Sequence, residues 1–173
     1  MGPFSEVAFL TTHSPEETQA LGFAIGKHAQ AGDVILLAGQ LGAGKTCLTQ
    51  GIAWGLGVKE YALSPSFVLV REYKGRLQLY HMDLYRLERL EEISDLGLDD
   101  YLYGKGVCVV EWADRGLELM PEEHLAVEIG YTSDTEREII LTGRGNRYRG
   151  LIAKLPGETE DMGWNCPLIP QQI

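Results

Sequence analysis

Residues 39–46 read Gly-Gln-Leu-Gly-Ala-Gly-Lys-Thr and follow directly on the apolar run Val34-Ile35-Leu36-Leu37-Ala38. No other feature restricts the fold of this chain as strongly. A short run that is apolar on both faces suits a central strand covered from both sides. The spacing G-x-x-x-x-G-K-[ST] is met at Gly39, Gly44, Lys45 and Thr46 without a mismatch. Gly42 and Gly44 let the backbone curl so that successive N–H groups face one anion. A helix starting near Lys45 turns its positive end to the same point. In this pattern the lysine reaches the β- and γ-phosphates and the Thr46 hydroxyl ligates Mg²⁺. Strand, glycine loop and helix in succession are the context the motif requires, so the sequence predicts a site for ATP with Mg²⁺. The loop by itself admits GTP; the chain has no N-K-x-D signature for guanine, which favours adenine.

The fold expected around this loop is α/β, a single-domain P-loop fold with a mixed parallel and antiparallel sheet flanked by helices. Residues 7–12 alternate weakly and form a first strand. Ser14 caps the next helix, Pro15 suits its first position and Glu17 completes a capping box. That helix runs to about residue 30, with Leu21, Ile25 and His28 near one face. The helix after the loop ends at Gly55 and Gly57. Residues 67–73 and 77–83 form a hairpin about Lys74-Gly75-Arg76. Helices over 87–96 and 98–103, a buried strand Val107-Cys108-Val109-Val110 and a last hairpin of 125–131 with 138–142 complete a domain of residues 1–155. Residues 156–173, rich in Pro and Gly, are predicted to be a poorly ordered tail, with Trp164 and Leu168-Ile169 docking.

Composition narrows the function classes. A chain of 173 residues, 45% apolar and 23% charged, buries a core without disulfides. No window approaches the roughly 18 consecutive apolar residues of a membrane span, and no signal peptide opens the chain. Three cysteines, Cys47, Cys108 and Cys166, have no zinc-ligand spacing. Cys47 and Cys108 read as small core residues, and a reducing cytoplasm fits. The net charge of −10 opposes independent nucleic-acid binding, which needs a basic face. Arg137, Arg144, Arg147, Arg149 and Lys154 read as a solvated hairpin face.

A magnesium site needs acidic oxygens as well as Thr46. The strand 107–110 runs straight into Glu111, the layout that places a carboxylate beside a phosphate loop. Glu111 can bind the metal through water or polarise the attacking water. In His81-Met82-Asp83-Leu84-Tyr85-Arg86, alternation puts His81, Asp83 and Tyr85 on one side. Asp83 is a hard oxygen ligand; His81 alone reads as a structural histidine. Ser64-Pro65-Ser66 suits either an ordinary turn or a loop that responds to a γ-phosphate, and Trp112 either a core or a partner-facing aromatic.

The order G-x-L-G-A-G-K-T at 39–46, S-P-S-F at 64–67, H-x-D-x-Y-R-L at 81–87 and V-E-W at 110–112 resembles the TsaE (YjeE) family of bacterial ATPases, over about residues 14–141. The resemblance implies slow ATP hydrolysis within the machinery that makes threonylcarbamoyladenosine in tRNA. It implies TsaD and TsaB as partners, with tRNA reached through their complex, and a turnover that resets that complex. It further implies that residues 39–47 (Gly39, Gln40, Leu41, Gly42, Ala43, Gly44, Lys45, Thr46 and Cys47) hold the nucleotide and that Thr12 approaches its base. Thr46, Asp83 and Glu111 make the metal and water site, in which Lys45, Asp83 and Glu111 are catalytic. Ser64, Pro65, Ser66, His81, Tyr85, Arg86 and Trp112 form the switch-like segments. Two departures stand out: the family usually has S-P-T where this chain has Ser64-Pro65-Ser66, and an acid where it has Gln40. The alternative function is a small-molecule or nucleoside kinase, but no arginine-bearing lid is evident. The charged helix 87–96 and Asp99-Asp100 are candidate partner surfaces.

Overall fold

The run before the glycine loop lies in the middle of the sheet. A computed structural model describes residues 5–65, 69–163 and 169–171, the last three as backbone only. Its elements are β1 (Ser5–Thr12), α1 (Pro15–His28), β2 (Val34–Gly39), α2 (Lys45–Gly55), β3 (Val70–Lys74), β4 (Gln78–Asp83), α3 (Leu90–Ser94) and α4 (Asp99–Leu102). There follow β5 (Val107–Glu111), a 3₁₀ segment (Ala113–Leu119), β6 (His124–Tyr131), β7 (Arg137–Arg144), α5 (Asn146–Asp161) and β8 (Ile169–Gln171). The strands form one sheet in the order β3-β4-β5-β2-β6-β7-β1-β8. β4, β5, β2 and β6 run parallel, and the other pairings are antiparallel. The mixed α/β sheet expected from the sequence is therefore present. No helix among the described residues is long and apolar enough to cross a membrane.

Both faces of β2 are buried, as its composition requires. Ile35 and Leu37 face the larger core, shared with α1, α2 and α5. Val34 and Leu36 face a smaller core under α3, α4 and the 3₁₀ segment. Ser14 caps α1 by accepting the Glu17 N–H at 3.1 Å. α1 and α2 pack with their backbones almost touching. A Cβ added to Gly22 or Gly26 would strike carbonyl oxygens of Leu48 or Ile52, and one on Gly51 or Gly55 those of Gln19 or Phe23. This closeness seats the helix that follows the glycine loop.

Three elements differ from expectation. The helix anticipated over 87–96 is only Leu90–Ser94, since the preceding residues turn at the carboxyl end of β4: Leu84 N–H donates to Glu111 O and Leu87 N–H to Leu84 O. The order of the chain does not stop at Leu155, because α5 passes through Pro156 to Asp161. Pro costs a helix one hydrogen bond, but Leu151, Ile152 and Leu155 are fully buried here. Glu158 pairs with Lys27 at 2.7 Å and with His28 at 3.1 Å. β8 then adds to the free edge of β1. The basic residues near the C-terminus do not form one hairpin face either: Arg147 lies on α5 and grips the buried Asp33 at 2.6 Å. Trp164, Cys166 and Leu168 lie outside the described residues. Cys108 is buried as expected, and Cys47 is half-buried.

Gly26→Ala should lower stability by about 1–3 kcal/mol, the usual cost of overpacking. For a chain of this size that is roughly 2–4 °C in Tm per kcal/mol, readable by thermal denaturation. An unchanged Tm would mean that the α1–α2 contact is not tight in solution.

Candidate functional site

The parallel strands end at one level. Asp83 closes β4 beside Glu111 of β5, and Glu111 pairs in register with Leu37 of β2. The glycine loop leaves β2 two residues later. In an open parallel sheet, the crevice beyond the carboxyl ends of the strands is where ligands bind. Here it holds a cleft of about 290 Å³, lined by the loop, by Asp83 and Glu111, and by the residues just after each of them.

The loop is built to present its N–H groups. Gly42 and Gly44 adopt φ of 78° and 113°, values that an L side chain resists. Gly44 caps α2, so the positive end of that helix opens on the cleft. The Lys45 ammonium, almost buried, donates to the carbonyls of Gly39 at 2.7 Å and Gln40 at 2.9 Å. It also lies 4.0 Å from the centre of the Trp112 ring. Burial lowers its pKa, against the pull of Glu111 and Asp83.

The acids are held in separate networks. Thr46 donates to Glu111 Oε1 at 3.1 Å, and His81 Nε2 lies 2.6 Å from Glu111 Oε2. His81 is fully buried and its Nδ1 has no partner among the described residues. That arrangement assigns the ring proton to Nε2, since a proton on Nδ1 would be a buried donor without an acceptor. Asp83 accepts from Tyr85 N–H at 2.8 Å through one oxygen and from Ser64 Oγ at 3.1 Å through the other. Burial raises its pKa, with the Glu111 charge adding to the rise; the bonds from Tyr85 and Ser64 oppose it.

The structure thus brings Gly42, Gly44, Lys45, Thr46, Cys47, Ser64, Asp83, Tyr85, Arg86, Glu111 and Trp112 to the cleft. Leu41 lines its rim and is 71% exposed. Gly39, Gln40 and Ala43 shape the loop from behind. His81 does not line the cleft and reaches it only through its contact with Glu111. Pro65 is buried, and its carbonyl accepts the Leu69 N–H. Ser66 and Phe67 lie outside the described residues. Thr12 does not line the cleft: strand alternation turns it to the same face as Ala8 and Leu10, and its hydroxyl lies 2.8 Å from that of Thr18. Cys47 links this region to α2 through a weak contact with Pro15 O at 3.5 Å.

Two residues of the last hairpin escaped the sequence reading. Tyr131 donates its hydroxyl to Gly42 O at 2.8 Å, and Arg137 Nε donates to Ala43 O at 2.7 Å. Arg137 also lies over the Tyr131 ring at 4.3 Å. Because a peptide is planar and trans, drawing the Ala43 carbonyl outward aims the Gly44 N–H inward. In the sequence Arg137 is grouped with Arg144, Arg147, Arg149 and Lys154 as a solvated hairpin face, and nothing local sets it apart.

This fold and this loop define a P-loop nucleotide-binding protein of the α/β class. Residues 12–139 match the sequence profile of the family described as "Threonylcarbamoyl adenosine biosynthesis protein TsaE". The chain is 49% identical over 145 residues to the tRNA threonylcarbamoyladenosine biosynthesis protein TsaE of Bacillus subtilis, a match covering 83% of this chain and 90% of that one. It is 43% identical over 130 residues to the protein of the same name from Treponema pallidum, covering 75% and 96% respectively. The crystal structure of Bacillus subtilis YdiB superposes with a TM-score of 0.78 at 42% identity, over 89% of this chain and 97% of that one. The chain belongs to the TsaE family.

The lowered Lys45 pKa has a consequence for binding. Phosphate attracts the charged form, so affinity for a nucleoside triphosphate should begin to fall on the alkaline side below pH 10.5, the ordinary lysine value. Titrating affinity against pH in wild type and in Lys45→Arg, which stays charged, tests this. A limb unchanged by the substitution would assign the loss to another group.

Proposed function

We propose that this protein is the ATP-binding, slowly hydrolysing subunit of the bacterial tRNA threonylcarbamoyladenosine machinery, acting in the cytoplasm with TsaD and TsaB. The observation that carries the reading is the meeting of Lys45, Thr46, Asp83 and Glu111 at the ends of parallel strands, in a chain of the TsaE family. The relatives' names supply the pathway, and the acidic balance of the chain fits a protein that reaches tRNA through its partners.

The donor set fits Mg²⁺. Among the described residues no three His, Cys, Asp or Glu side chains close into a metal cage. One hydroxyl and one direct carboxylate, with the second acid acting through water, suit a small hard cation whose other positions phosphate oxygens and water fill. MgATP supplies the electrophilic γ-phosphorus and the charge that develops on its oxygens. Lys45 releases the carbonyls of Gly39 and Gln40 and turns its ammonium to the β- and γ-phosphates. Thr46 and Asp83 would hold Mg²⁺ from the protein side. Glu111, steadied by His81 Nε2, orients the attacking water and draws on its proton. Ser64, Tyr85 and Arg86 move with Asp83, to which Ser64 and the Tyr85 backbone are bonded. Release of phosphate then relaxes these segments and frees the partner.

The test is phosphate release from ATP by the purified protein, alone and with TsaD, TsaB and tRNA. Slow release that rises with the complex and vanishes in Lys45→Ala is expected. Glu111→Ala should cut turnover by about 10²–10⁴, the usual worth of general-base assistance, and leave ATP affinity within a few-fold. Unchanged turnover would remove Glu111 from the mechanism. ADP formed one-for-one with a phosphorylated small molecule would replace the reading with a kinase.

A further inference from the structure

The two faces of the sheet are covered unequally. α1, α2 and α5 close one face across β2, β6, β7 and β1. On the other, α3, α4 and the 3₁₀ segment cover β4, β5 and β2, and among the described residues the cover ends there. Ala126 on β6, Thr142 and Ile140 on β7 and Phe9 on β1 neighbour one another in register on this open side, and all are half-buried. Where the 3₁₀ segment meets β6, a groove of about 400 Å³ runs along this face. Ala38, Ala126 and Thr142 form its floor, and Leu117, 55% exposed, stands in its wall with Met120. The exposed acids Asp114, Glu122 and Glu128 rim it, against one base, Arg144.

We propose that this groove is the docking surface for a segment of a protein partner that presents apolar side chains flanked by Lys or Arg. The apolar floor beside an exposed leucine is the kind of recess that takes an aliphatic or aromatic anchor. The acidic rim selects what flanks the anchor, since complementary charge sets specificity and speeds encounter. It repels RNA, a polyanion. It also disfavours a second copy of this chain, because a two-fold contact sets the same patch against itself and would bring three carboxylates against three. Position gives the groove a mechanical consequence. Its wall begins at Ala113, next to Trp112, whose ring lies 4.0 Å from the Lys45 ammonium. A partner seated against Leu117 therefore bears on the backbone that carries the ring over the loop lysine.

This inference rests on the reading that the chain works with TsaD and TsaB, so that complex is the probe. Labelled protein is titrated with purified TsaD–TsaB at low and high salt, as wild type, Leu117→Glu and Glu128→Lys. Both positions are exposed and lie outside the nucleotide machinery, so phosphate release by the variants alone should match wild type. Each substitution is expected to weaken binding at least tenfold, and Glu128→Lys should also flatten the salt dependence. If wild type binds and both variants bind equally well, the groove is overturned while the partnership stands. If wild type does not bind, the partnership fails and the groove assignment with it. Loss of a wild-type dimer in the variants, by sedimentation, would make the occupant a second copy and overturn the proposal. Binding of tRNA alone by wild type that Leu117→Glu abolishes would overturn it in favour of RNA.

Discussion

The register of β4, β5 and β2 is the constraint on which the site depends. Asp83 and Glu111 pair directly, and Glu111 pairs with Leu37, two residues before the glycine loop begins. Side chains on a strand alternate between faces, so a slip of one residue would send either carboxylate to the opposite face and leave an apolar neighbour in the cleft. The slip is prevented by burial. Val107, Val109 and Leu79 are fully buried in one core, and Val110 and Met82 in the other. The hydrophobic effect that holds the sheet together thus also sets the spacing of its charges. The same burial has opposite effects on the two kinds of charge it encloses, lowering the pKa of Lys45 and raising that of Asp83. Buried charges are tolerated when each is paired and hydrogen-bonded. Here Lys45 has two carbonyls and a ring, and Asp83 has a hydroxyl and an N–H.

Much of this was legible because it is local. A strand apolar on both faces, a glycine loop and a helix start within about a dozen residues are properties of neighbours in the chain, and β2, the loop and α2 form where they were expected. Asp83 and Glu111 were legible for a related reason, since each ends a strand and strand ends in a parallel sheet converge. What could not be read depends on partners distant in sequence. α5 survives Pro156 through contacts with Lys27 and His28 of α1, and no local propensity announces them. Arg137 and Arg147 looked like surface cations, but one holds Ala43 and the other Asp33. A long polar side chain carries no sign in the sequence of whether its end meets water or backbone. Thr12 shows the reverse: its expected role came from resemblance, whereas the strand turns its side chain to α1.

Strain gathers where the site needs it. Among described residues other than glycine, only Leu69 and Trp112 have left-handed backbones, with φ of 69° and 58°. Each such residue costs of order 1–3 kcal/mol and persists only where its surroundings over-determine it. Trp112 sits between the strand that carries Glu111 and the 3₁₀ segment, and its conformation reverses the chain so that the ring folds back over Lys45 and against Tyr85 at 4.8 Å. Leu69 borders the Ser64 loop, and its carbonyl accepts the Asp83 N–H. The Trp112 ring is half-buried, packed against the site rather than in either core.

An acidic protein that binds a polyphosphate must supply attraction locally. The chain carries a net charge of −10, and at distances beyond a Debye length, about 8 Å at physiological salt, most of that charge is screened. Inside the cleft screening is weak, so the near groups decide: the Lys45 ammonium, the inward N–H groups of the loop and the positive end of α2. Asp83 and Glu111 stand against them. A bare triphosphate would meet two carboxylates there, whereas one that brings a divalent cation would meet them with much of its own charge offset. On the proposed function the two acids would therefore favour a triphosphate that carries a divalent cation over a bare one, a selection made by charge before any contact to the base.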